Sequence, residues 1–177
     1  IISQTKTEVL AMASNIKEVF FKLEELYYDD SKLEAYCEEI NSIEYKLDLY
    51  EKEVSDANFS ILNKGLQASY VEETRGNLIT CDEYETISDY LMRVTNSLKK
   101  LQDNSISLTD EEKSTLKEFN EDTRELFRNV NTAYALKNRD ILMKAITKAN
   151  KITEKYRKAK QVHLQDGGQE NPIAMLT

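Results

Sequence analysis

Residues 33–61 read LEAYCEEINSIEYKLDLYEKEVSDANFSI. Apolar side chains recur there at Leu33, Tyr36, Ile40, Ile43, Leu47, Tyr50, Val54, Ala57 and Ile61, in alternating steps of three and four. Such steps average close to one turn of an α-helix, so all these side chains share one stripe, and the rhythm lasts about eight turns, roughly 45 Å. A strand would alternate every second residue, which this stretch does not do.

The same rhythm extends outward in both directions. Upstream, Val9, Met12, Ile16, Val19, Leu23 and Leu26 form the stripe of a first helix, and Asp29 and Asp30 break it and can cap the next. Downstream, Asn63-Lys64-Gly65 ends the second helix. A third helix carries Val71, Thr74, Leu78 and Cys81, then resumes in a shifted register, the shift falling at residues 81–84, as Tyr84, Ile87, Leu91, Val94, Leu98 and Leu101. Residues 103–108 are a polar connection, after which Thr109 and Glu112 have the spacing of a capping box. The fourth stripe is Leu116, Phe119, Thr123, Leu126, Val130 and Ala133. The fifth begins near Asn138 and carries Leu142, Ala145, Ala149, Ile152, Tyr156, Ala159 and His163, ending before Gly167. Short connections make consecutive helices antiparallel neighbours, so the expected fold is all-α, an antiparallel up-and-down bundle rather than an extended oligomeric coiled coil. Asn171-Pro172 followed by Ile173-Ala174-Met175-Leu176 reads as the start of a sixth helix.

Composition agrees. One Pro and four Gly in 177 residues leave few interruptions, and the length suits one domain with a core of its own. Cys37 and Cys81 fall in helical patterns and are expected to be free, buried thiols of a reducing compartment. The chain shows neither a long apolar span nor a signal peptide. It opens without Met, and the expectation is a piece of a larger protein, which leaves room for a membrane portion outside it. A formal charge of −8 speaks against nucleic acid as a partner. That charge is uneven: from Lys137 to Lys160 nine basic residues face only Asp140 and Glu154, a net +7 that leaves −15 for the remainder. Lys144, Lys148, Lys151, Lys155 and Lys158 form one face of the fifth helix, readable as a solvated face or as a contact for anionic lipid headgroups or a transporter's loops.

Catalytic patterns are missing. A lone His163 cannot build a multi-His zinc centre, no glycine loop cradles a phosphate, and the Glu-x-x-His pairs of di-iron bundles do not occur. What remains is carboxylates four apart, such as Glu44 with Asp48 and Glu85 with Asp89, whose oxygens share a helix face and can chelate a hard cation. Acidic residues are frequent enough that the spacing alone carries no signal; position does. Glu44 and Asp48 lie beside the seam of helix two, Glu85 and Asp89 just after the register shift in helix three, and antiparallel packing of the two helices would face the pairs as a four-carboxylate patch. A solvated acidic face and a cation site are both open on this evidence.

Four segments resemble the PhoU-like family, closest to the C-terminal cytoplasmic domain of bacterial sodium/phosphate cotransporters. TEVLAMASNIKEVF (7–20) is similar to the family's opening helix, and INSIEYKLDLYEKEV (40–54) to its second, with Glu44 and Asp48 on the E(D)xxxD motif. CDEYETISDYLMRVTNSL (81–98) resembles the signature third helix, matching at Glu85, Ile87 and Asp89, while the usual Gly and His are Ser88 and Tyr90. ANKITEKYRKAKQVHL (149–164) resembles a later helix, with Asn150 and Glu154 at the motif positions. The resemblance implies a first three-helix repeat over 1–104 and a second, incomplete one over 105–177. It further implies iron or zinc held by Glu44, Asp48, Glu85 and Asp89, and a regulatory, non-enzymatic role in sodium-dependent phosphate uptake. The partner would be a membrane transporter portion or subunit, and the location the cytoplasmic side of the bacterial inner membrane, or the cytoplasm. The competing expectation is a helical scaffold or signalling bundle that binds partner helices with no metal or phosphate. Seam surface left open by an incomplete sixth helix would also permit a homodimer.

Overall fold

A computed structural model describes residues 2–62 and 68–165, and the side chains of 4–61 and 70–161. Five α-helices follow one another: α1 Ile2–Leu26, α2 Leu33–Leu62, α3 Ala68–Asp103, α4 Asp110–Leu136 and α5 Arg139–Gln165, with a 3-10 turn at Asp30–Lys32. No strand occurs among the described residues, so the all-α reading holds. The break at Asn63-Lys64-Gly65, the side chain of His163 and the sixth-helix start lie outside what is described.

Local chemistry sets the helix ends. Asp29 accepts from the Ser31 amide at 3.1 Å and opens the 3-10 turn. Thr109 and Glu112 complete the capping box in both directions, at 3.2 and 2.8 Å, satisfying two amides that the first turn of α4 leaves without helical partners. Asn138 accepts from Ile141 at 3.1 Å and starts α5. α3 and α4 both close with a left-handed residue, Ser105 at φ 57 and Lys137 at φ 50. The amides that follow, of Ile106 and Asn138, reach back to the Leu101 and Ala133 carbonyls at 2.9 Å each. These are Schellman closures in which a residue with a side chain occupies the position that glycine usually fills.

The chain divides into two compact units, Ile1–Val19 with Ala35–Arg93, and Phe20–Glu34 with Val94–Thr177. Both are discontinuous in sequence, because α1 and α3 each lend one part to either unit. The repeat division at 104/105 is a division of another kind, along the sequence.

In the first unit, Val9, Met12, Ile16 and Val19 of α1 and Ile40, Ile43, Leu47 and Val54 of α2 are all buried. On α3 the buried positions are Thr74, Asn77, Cys81, Tyr84, Ser88 and Leu91, an unbroken alternation of three and four. The register shift expected at 81–84 is therefore not made. Leu78 and Ile87 are half-buried, and Asn77 and Ser88 hold the inward positions instead. Asn77 can do so because its amide donates to Thr5 Oγ1 at 3.1 Å inside the core. Asn58, fully buried on α2, has neither side-chain polar atom hydrogen-bonded, and the same is true of the buried Thr74 hydroxyl.

The second unit is built on α4. One face of α4 meets the end of α1: Phe127 packs on Phe20 with ring centroids 5.8 Å apart, and Asn120 Nδ2 donates to the Phe20 carbonyl at 3.1 Å. Arg124 adds an ion pair to Glu24 at 2.7 Å and lies over the Phe21 ring. Its other face meets α5, where Phe119 and Tyr156 pack edge to face. Serving two neighbours, α4 buries Asn120, Phe127 and Ala133, while the other members of its predicted stripe are half-buried. α5 buries Ala145 and leaves Leu142 and Tyr156 exposed. No helix among the described residues is long and apolar enough to cross a membrane.

Candidate functional site

α2 and α3 carry the acidic pairs, and the first unit brings them into one electrostatic neighbourhood. The Glu44 carboxyl is raised above its ordinary value by loss of hydration, then by the charges of Asp48 and Asp89. Glu85 is raised by loss of hydration, then by Asp89, Glu51, Asp48 and Glu44. Asp89 acts on Glu44, while Glu51 acts on Cys81 and Glu85, so rising numbers on α2 meet falling numbers on α3. That is the antiparallel arrangement which the short α2–α3 connection predicts, and it sets the two E(D)xxxD-like pairs across from each other.

Glu44, Glu85 and Asp89 are half-buried and Asp48 is exposed. Each keeps contact with water, yet each adds to the negative potential at the others, so the folded state has a repulsion that the unfolded chain lacks. Beneath the face, Cys81 is fully buried, and its thiol is pushed up to about 12 by burial and then by Glu51, Asp82, Glu8 and Glu85. It stays protonated and donates to Met12 Sδ at 3.4 Å. The donors on offer are carboxylate oxygens, suited to a hard cation more than to the nitrogen and sulfur preference of zinc. Among the described residues no three His, Cys, Asp or Glu side chains converge as metal ligands. Charge, rather than preformed coordination, is what the face offers a cation. Glu51 belongs to this face although the sequence reading passed over it; it follows Asp48 by three residues, and that spacing was the available signal.

The lysine face of α5 meets acids on α4. Lys155 reaches Glu118 at 2.6 Å and Asp122 at 2.9 Å, while Lys148 pairs with Asp122 at 3.6 Å and with Glu125. Lys155 donates a hydrogen bond to Asp122, which with Lys148 nearby holds that carboxyl below the usual range. Lys158 pairs with Glu154 on its own helix, and Lys144 and Lys151 are exposed. Two of the five lysines are thus committed to the α4–α5 contact.

The second unit also has a recess lined by Leu26, Tyr27, Leu33, Leu98, Leu101 and Lys113 among others, enclosing about 80 Å³, room for a few water molecules. Cys37 and Cys81 are both free and buried, as their helical positions predict.

Set against known proteins, the chain matches no family model, no curated protein and no solved structure.

Proposed function

We propose that this chain is a non-enzymatic regulatory bundle of phosphate uptake, PhoU-like in kind, acting beside a membrane transporter on the cytoplasmic side. The supporting observation is the acidic face: Glu44, Asp48, Glu85 and Asp89 gathered on adjoining helices, with Glu44 and Glu85 raised by lost hydration and by neighbouring carboxylates. A multivalent cation, iron above zinc given the all-oxygen donors, relieves that repulsion and so favours one packing of α2 against α3. Cation occupancy then becomes a state that a transporter in contact with the bundle can sense.

The test is elemental mass spectrometry of the purified chain after loading with iron or zinc, beside a Glu85→Ala, Asp89→Ala variant, together with phosphate uptake by cells carrying either form. The reading expects metal in the parent, its loss in the variant, and altered uptake. Metal-free parent protein and unchanged uptake would move the assignment to the second reading, a scaffold that binds partner helices. Exposed apolar side chains favour that reading within the first unit: Phe59, Tyr70 and Ile79 stand in solvent on α2 and α3.

A further inference from the structure

We propose that one flank of α5 is a docking surface for an anionic lipid bilayer, and that it differs from the lysine face of the same helix. Positions 139, 142, 146, 150, 153, 157 and 160 recur in steps of three and four and so share a stripe. Every residue of that stripe is exposed. It presents Arg139, Leu142, Ile146, Arg157 and Lys160, with Met143 adjoining and neutral Asn150 and Thr153 between. Leu142, Met143 and Ile146 are 41, 54 and 46% exposed, an apolar cluster that no other element of the unit covers among the described residues.

Charge selects the occupant. The stripe carries three cations and no carboxylate. Asp140 lies on the opposite flank, and Glu154 is held by Lys158 at 2.9 Å. Arg139, Arg157 and Lys160 have no ion pair among the described residues, whereas Lys148 and Lys155 on the lysine face are tied to Asp122 and its neighbours. Apolar side chains flanked along a helix by unpaired cations are the pattern of an interfacial helix. The apolar part enters the acyl boundary while guanidinium and ammonium groups meet lipid phosphates. A partner protein helix would leave these cations facing its own apolar seam unless it supplied matching acids; an anionic headgroup layer supplies negative charge at every position. The acidic face of α2 and α3 plays no part in this, so the lipid surface and the cation reading can each fail alone.

The experiment is co-sedimentation of the full chain with vesicles of phosphatidylcholine alone and of phosphatidylcholine with phosphatidylglycerol. Binding is expected to the anionic vesicles only. Changing Arg139, Arg157 and Lys160 to Gln together should weaken it about a hundredfold, from about 1 kcal/mol for each cation at an anionic surface. Met143→Ser with Ile146→Ser should weaken it several-fold at unchanged charge, and Lys144→Gln with Lys151→Gln, on the other flank, less than about threefold. All replaced side chains are exposed, so circular dichroism should show unchanged helicity. Equal sedimentation with both vesicle types, or equal loss from either flank, would overturn the proposal. So would a dimer in light scattering that the serine pair dissociates, which would make the flank a contact between two copies of this chain.

Discussion

The α2–α3 contact and the α4–α5 contact are both antiparallel helix pairs edged with carboxylates, and they handle charge in opposite ways. Between α4 and α5, Asp122 sits between Lys148 and Lys155 and is held below the ordinary carboxylate range. Between α2 and α3, Glu44 and Glu85 lose hydration, have acids for neighbours and are held above it. Apolar burial runs the other way: α2 buries Leu47 completely, whereas α5 leaves Leu142 exposed. The first contact is held by its core in spite of its rim. The second leans more on its rim because its core is thin.

The sharpest way to break this comparison is a charge at the same kind of position in each region. Leu47→Asp puts an unpaired carboxylate into a closed core and should cost roughly 3–5 kcal/mol or more, unfolding the chain. Leu142→Asp on α5 should cost under about 1 kcal/mol, because the new charge keeps its water. Circular dichroism melts separate the two, and similar losses would erase the contrast. Next in size is Asn58→Leu, which removes two buried polar atoms that make no hydrogen bond and should raise stability by about 1–2 kcal/mol in urea titrations. A loss of that size instead would show that Asn58 does have a partner in solution.

Asp122→Asn should lower stability by about 0.5–1 kcal/mol, a modest figure because Asp122 and Lys155 are each about a third exposed and screened by water. Glu85→Gln should raise it by about 0.2–0.5 kcal/mol, with the gain shrinking as salt is added. Acidification separates this pair further. Glu44 and Glu85 have raised folded values, so as pH falls toward and just above about 4.3 the folded state takes up protons that the unfolded chain does not, and stability rises. Asp122 has a lowered folded value, so its contribution is present at neutral pH and is lost only as pH falls below about 3.9. Melting temperature against pH should therefore rise before it falls, with Glu85→Gln flattening the first limb and Asp122→Asn the second. Lys137→Gly relieves a left-handed residue at the end of α4 and should gain about 0.5–1 kcal/mol in the same melts.

Much of this architecture is legible in one-dimensional spacing. All six stripe residues of α1 are buried, and Thr109 with Glu112 caps α4 in the predicted geometry. Hydrophobic counting failed where a polar residue faces inward. It chose Leu78, Ile87 and Val94 on α3, whereas the structure turns Asn77, Ser88 and Thr95 to the inside, the first of them satisfied by Thr5. A register shift was the artefact of that choice. On α4 the difficulty was different: a helix with neighbours on two sides has two apolar arcs, and a single stripe through Leu126 misses the adjacent Phe127 that packs on Phe20. For the candidate site, sequence identified the four carboxylates and their opposition across two helices. Whether they converge depends on side-chain rotamers about an exposed face, which periodicity does not encode.

The pairing of Cys81 Sγ with Met12 Sδ gives the first unit a built-in clock. A thiol that is fully enclosed and pushed up to about 12 is inert to alkylating reagents while α1, α2 and α3 stay together. Its labelling therefore counts the rare moments when those helices separate, reporting their opening rate from the native state without added denaturant.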